Sequence, residues 1–110
     1  MIEITFDEFK KAEIKIGTIL SAEKVPEADR LIKLIINLGE EAPRQILSGI
    51  AEHYPDPSVL VGKQVPVLAN IPTRTIRGLE SQGMVLYAVG EGFLTTVNPD
   101  REIPNGTLVQ

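Results

Sequence analysis

The sequence contains no cysteine and no tryptophan, and it has a single histidine, His53. Without cysteine there are no disulfides, zinc–thiolate sites or thiol nucleophiles. That absence fits a reducing, cytoplasmic setting. One histidine cannot build a multi-histidine metal cage, and nothing motivates a carboxylate-only magnesium site. No metal and no cofactor is therefore expected. Aromatic residues are scarce, at 5%: Phe6, Phe9, Tyr54, Tyr87 and Phe93. Proteins that bind single strands usually stack bases on aromatic faces. Here at most Tyr54 or Tyr87 could serve, and a core role suits both equally well. Long apolar runs are missing too. Nothing approaches the roughly 18 apolar residues of a membrane span, and the acidic, amphipathic opening MIEITFDEFKK does not read as a signal peptide. No repeat, linker or low-complexity tract divides the 110 residues, so one domain over 1–110 is expected.

What is present is ordinary globular composition, 43% hydrophobic and 24% charged, with a net charge of −4. Bulk charge argues against non-specific nucleic-acid binding. Its distribution softens that objection. Residues 61–90 carry Lys63, Arg74 and Arg77 against Glu80 alone, so a local basic surface is available on an acidic protein.

Glycines and prolines punctuate short apolar runs, the pattern of many short strands. Residues 5–11 read as a short helix, because Thr5 followed by Glu8 is a capping box. Phe6 and Phe9 share one face of it and are expected to close one end of the core. Residues 12–23 alternate, with Ala12, Ile14, Ile16, Thr18, Leu20 and Ala22 on one face and Ile19 as the exception; Gly17 marks an expected bulge or bend. Residues 31–38 place Ile32, Leu34, Ile36 and Leu38 on one face, and 44–48 give a third strand. A short helix is expected at Ile50–His53, followed by a Pro55/Pro57 break. Residues 64–69 form a fourth strand, which Pro66 should confine to an edge or a bulge. Residues 71–82 read as a loop. Strands at 83–89 and 93–97 flank a hairpin turn at Gly90-Glu91-Gly92, and Asn105-Gly106 turns into a last short strand.

Three strands, a small helical connection and two more strands is the order of an OB-fold, a five-stranded Greek-key barrel. The expected class is thus all-β, with short helices and extra strands at the C-terminal end. Ligands of that fold lie across strands 2 and 3, between the loop joining strands 1 and 2 and the loop joining strands 4 and 5. Those loops carry Lys24 and Arg30, and Arg74 and Arg77; Lys33 and Arg44 lie on the strands between. Six of the 11 basic residues map to one face.

No catalytic constellation emerges. Ser48, His53 and Asp56 have no nucleophile elbow around them. Glu40 and Glu41 are neighbours at a turn, whereas an acid–base pair must face across a cleft. Gly39, Gly90 and Gly92 match no phosphate-binding loop. The most unusual segment runs from Asn70 to Met84 and concentrates the donors Asn70, Thr73, Arg74, Arg77, Ser81 and Gln82. Arginine forks suit phosphate, and hydroxyls and amides suit 2′-OH groups and base edges. Met84 is assigned to the core.

The same segment carries a resemblance. Phe9-Lys10-Lys11 through Ile14-Lys15-Ile16-Gly17-Thr18-Ile19 resembles the opening of the tRNA-binding-domain family. The match continues through Ala28-Asp29-Arg30-Leu31-Ile32-Lys33, Arg44-Gln45-Ile46-Leu47-Ser48-Gly49-Ile50-Ala51, Val61-Gly62-Lys63, Ala69-Asn70 and Arg77-Gly78. It ends in Glu80-Ser81-Gln82-Gly83-Met84 and spans nearly the whole chain. This family is found at the C-terminus of many methionyl-tRNA synthetases, in a cytokine-type synthetase cofactor, and as a stand-alone tRNA-binding protein. The resemblance implies an OB-fold without catalysis of its own. It implies binding of tRNA by overall shape, chiefly the outer corner of the L. It further implies a homodimer and methionyl-tRNA synthetase as a partner. Carried over residue by residue, it assigns RNA contact to Lys33, Arg44, Asn70, Arg74, Arg77, Ser81 and Gln82. Thr75 stands where the family often has a basic residue, which implies weaker, more salt-sensitive binding. Two alternatives remain at this stage: an export-type chaperone of the same fold that binds unfolded polypeptide, and a hydrolase built on Ser48, His53 and Asp56.

Overall fold

The computed structural model describes residues 1–110. It opens with helix α1 (Phe6–Lys10) and continues through β1 (Ile14–Lys24), β2 (Ile32–Asn37), β3 (Arg44–Ser48) and a 3-10 turn (Pro57–Leu60). β4 (Gln64–Leu68), β5 (Arg74–Ile76), β6 (Leu79–Ser81), β7 (Met84–Val85), β8 (Tyr87–Gly90), β9 (Phe93–Thr96) and β10 (Leu108–Val109) follow. The main sheet runs β3-β2-β1-β4-β7, with β10 added beside β1. β3 and the segment leading into β7 then approach each other, giving the nearly closed five-strand barrel that the strand order implied. β5–β6 and β8–β9 are separate hairpins.

β1 organises the barrel. Its first half lies between β4 (Ile14↔Leu68 to Thr18↔Gln64) and β10 (Ile14↔Val109), and its second half pairs with β2 (Thr18↔Asn37 to Lys24↔Ile32). The register slips between Ile19 and Ser21. That bulge resolves the anomaly in the alternation: Ile19 enters the core and Leu20 is exposed. The expected bend at Gly17 is therefore displaced by two residues. Gly17 is required for a different reason, since a Cβ there would sit 2.7 Å from Ile36 Cγ2 and Leu38 Cδ1.

β2 follows its alternation throughout, with Ile32, Leu34, Ile36 and Leu38 all fully buried. They pack with Ile19, Ile46, Ile50, Leu60, Val65, Val67 and Val85 in one cluster, against which Tyr54 and Tyr87 rest. Complete burial of one such aliphatic side chain contributes about 1.5–3 kcal/mol.

Several expectations are corrected. α1 forms with the complete capping box of Thr5 and Glu8, but none of its residues is buried. Phe6 is 72% exposed, so the phenylalanine face does not close the core. Ile50–His53 is a single turn, and helical structure begins instead at Pro57, capped by Asp56. Proline suits a first helical position because its missing N–H would be unpaired there. β4 lies inside the sheet and not at an edge. Pro66 is tolerated because its partner Ile16 bonds to Thr107 and Gly106, and β7 registers only with Val67 and Leu68. Residues 71–82 are not all loop, since they contain the β5–β6 hairpin. Met84 is 41% exposed and lies outside the core.

Candidate nucleic-acid interface

The β5–β6 hairpin carries Arg74 and Arg77, both exposed. Arg74 pairs with Ser81, Thr75 with Glu80 and Ile76 with Leu79, leaving Arg77-Gly78 as a two-residue turn. Both turn residues have positive φ, 53° for Arg77 and 77° for Gly78. This is the type I′ geometry whose twist matches that of the strands. Asparagine or glycine adopts the first position readily, but arginine there is strained by roughly 1 kcal/mol or more. The strained residue lies at the tip of an exposed hairpin, and its neighbour Arg74 is exposed as well. The one ion pair of the molecule joins Glu40 and Arg44, so neither Arg74 nor Arg77 is neutralised by a carboxylate.

Lys33 projects outward from β2, half-buried, opposite Leu47 of β3. Lys24 and Arg30 are exposed on either side of the β1–β2 loop. That loop lies at the end of the barrel where Lys24 meets Ile32 and Ile32 meets Ser48. Lys33 thus lies between this loop and the part of β3 to which the hairpin is attached.

The other four assigned residues are built into the scaffold. Arg44 donates from Nε and Nη2 to the two carboxylate oxygens of Glu40, each at 2.7 Å. Its Nη1 donates to the carbonyls of Ala69 and Gln82 at 2.7 and 3.1 Å. The hydrogen bonds from Arg44 hold the Glu40 carboxyl below the usual carboxylate range and, reciprocally, push the guanidinium up. Asn70 ties the N-terminal segment to the barrel: its Oδ1 accepts from the Glu13 N–H at 2.9 Å and its Nδ2 donates to the Lys11 carbonyl at 2.6 Å. Ser81 is 5% exposed, and its Oγ accepts from the Leu47 N–H and donates to the Gly83 carbonyl. Gln82 accepts the Gln45 N–H on Oε1 at 3.1 Å, while its backbone N–H donates to the Gln45 carbonyl at 2.8 Å. Gln45, to which sequence reasoning assigned no role, also donates from Nε2 to the Glu80 carbonyl at 2.9 Å.

The hydrolase arrangement does not assemble. Ser48 Oγ accepts from the Tyr87 hydroxyl at 2.8 Å, and Asp56 Oδ1 accepts from the Ser58 N–H and hydroxyl. Burial pushes the Tyr87 hydroxyl up to about 12, so it remains a neutral donor. His53 is exposed.

Comparison with known proteins bears on this geometry. The family model described as "Putative tRNA binding domain" matches residues 14–108. The chain belongs to the tRNA-binding domain family. Over 105 residues, 94% of this chain, it is 47% identical to the methionine–tRNA ligase of Enterococcus faecalis, but it spans only 16% of that protein's length. The solved structure of a MetRS-related protein from Pyrococcus horikoshii superposes with a TM-score of 0.92 at 36% identity, covering 100% of both chains. The chaperone CsaA of Bacillus anthracis superposes with a TM-score of 0.87 at 31% identity, covering 99% of this chain and 100% of its own. Within the tRNA-binding domain family this chain thus resembles synthetase-related and chaperone-related proteins on one barrel. Its Ser81-Gln82-Gly83-Met84 run, with which the ordered set of matching segments ends, lies where the barrel closes.

Proposed function

We propose that this chain is a non-catalytic module that binds tRNA by its folded shape, with little sequence preference, at the outer corner of the L. The observation that carries the reading is the family match over residues 14–108, together with two arginines on an exposed hairpin that no carboxylate neutralises. Guanidinium groups in that setting suit phosphate oxygens, which recur along any folded RNA. The scarcity of exposed aromatic residues on this face favours backbone and shape recognition over base stacking. Lys33, Arg74 and Arg77 are the residues proposed to touch RNA, with Lys24 and Arg30 extending the basic face. The proposed setting is the cytoplasm, and the proposed partner is methionyl-tRNA synthetase.

A homodimer belongs to the same proposal. Ile2, Ile4, Phe6 and Phe9 at one end of the chain, and Leu108 and Val109 at the other, are all exposed apolar residues. Phe6, Phe9, Leu108 and Val109 line one groove, so α1 and β10 present a common apolar surface. A second copy is the occupant proposed for it.

The deciding experiment measures binding to bulk folded tRNA across a salt series, with unstructured RNA and an unfolded polypeptide as competitors. The expected result is a preference for folded tRNA that weakens as salt rises. Capture of the unfolded polypeptide without tRNA binding would favour the chaperone reading, which the likeness to CsaA supports.

A further inference from the structure

β3 and β7 are the two edges of the main sheet, and no regular ladder joins them. The gap is bridged at the segment Glu80–Gln82 by a set of bonds in which side chains replace the missing strand. One bond is backbone to backbone, from the Gln82 N–H to the Gln45 carbonyl at 2.8 Å, and it belongs to no strand ladder. Around it, Ser81 Oγ accepts the Leu47 N–H at 3.0 Å, Gln82 Oε1 accepts the Gln45 N–H at 3.1 Å, and Gln45 Nε2 reaches the Glu80 carbonyl at 2.9 Å. The same residues anchor the hairpin. Ser81 is the cross-strand partner of Arg74, and the Arg77-Gly78 turn lies only a few residues beyond.

We propose that Ser81 and Gln45 are positioning residues for RNA binding: they stitch the β5–β6 hairpin to β3 and so hold Arg74 and Arg77 in place, and Ser81 does not itself touch RNA. This rests on the tRNA-binding reading. Ser81 Oγ is buried and already makes one bond as acceptor and one as donor. A hydroxyl in that state has no proton left for a phosphate. Gln82 differs, because only its Oε1 is engaged in the stitch and its Nε2 makes no hydrogen bond. It both stitches and presents a donor. The Ser-Gln pair therefore separates into one structural residue and one that serves both ends.

The experiment pairs amide exchange with a double-mutant cycle on Ser81→Ala and Arg77→Ala, using bulk folded tRNA as the probe. Ser81→Ala should speed exchange of the Leu47 amide by about tenfold or more while β1–β2 amides keep their protection. It should also lower the slope of log affinity against log salt by roughly 1 for each arginine that no longer holds its phosphate, although it removes no charge. Arg77→Ala should weaken binding about tenfold in the parent and much less in the Ser81→Ala background. Ser81→Thr, which keeps a hydroxyl, should restore part of both readouts. Gln45→Ala loosens the same stitch without orphaning a buried group and should act in the same direction if Ser81→Ala folds poorly. Additive losses with an unchanged salt slope would make Ser81 a direct RNA contact and overturn the proposal. Unchanged Leu47 exchange with intact tRNA binding would sink the positioning role alone. A parent protein that binds no tRNA would sink the functional reading and this proposal together.

Discussion

At the scale of single residues, Arg77 sets stability against binding. Its left-handed backbone, φ 53°, is one asparagine adopts with less strain. Arg77→Asn should therefore raise the urea midpoint, by up to about 1 kcal/mol of stability, while weakening tRNA binding. A variant that loses both, or gains both, would contradict this assignment. Gly17 makes the opposite case, a residue that no function explains. Gly17→Ala would press a methyl against Ile36, Leu38 and the Asn37 carbonyl, all within 2.9 Å of the ideal Cβ. Overpacking of this kind costs about 1–3 kcal/mol, which thermal or urea unfolding would register. The sequence marked Gly17 as special without revealing why. A glycine inside an alternating strand fits a bulge and a close contact equally well, and only the position of β2 against β1 separates them. For Asn70, Ser81 and Arg44 the sequence did not reveal the backbone contacts that the structure shows. Polar residues that hold backbone together and polar residues that hold RNA are the same residue types, and their spacing in sequence does not tell them apart.

At the scale of elements, legibility followed length. β2 alternates over enough residues to reveal its buried face, and the structure agrees at every position. β5 and β6 have three residues each, too few to establish a period, and their turn lacks the asparagine–glycine signature of a hairpin. α1 was visible through its capping box, but an amphipathic pattern does not say what covers the apolar side. The β2–β3 turn offers a pH test at this scale. Arg44 bridges that turn to the ends of β4 and β6 through Glu40, Ala69 and Gln82. The Glu40 carboxyl lies below its ordinary value of 4.5 in the folded state, so the stabilisation is complete above that value. It fades as pH falls through the lowered one. Glu40→Gln should therefore be less stable than the parent near neutrality, with the difference shrinking on acidification; urea midpoints across that range measure it. The pair is partly exposed, so the effect will be modest and salt-sensitive.

At the scale of the whole molecule, α1 and β10 together leave an apolar surface open to solvent. Ile2 is 94% exposed and Leu108 52%. If a second copy covers this surface, light scattering should give about twice 12.0 kDa. Phe6→Glu with Leu108→Glu should return the mass of one chain while leaving the barrel folded, because neither side chain belongs to the buried cluster. A single-chain mass for the parent at high concentration would refute the dimer.

The placement of β10 has a consequence in time. β1, β2 and β3 are joined in sequence by short turns, so their pairing closes small loops and needs little search. The hydrogen bonds that link Ile16 to Gly106 and Thr107 close a loop of most of the chain. As the polypeptide is synthesised, the first half of β1 emerges early and waits with an unpaired edge until its last partner appears. The meander should thus form fast, and β10 should dock in a late step that is slow to arrive and easily delayed. Until that step, the open side of β1 is a site where another nascent chain could add a strand.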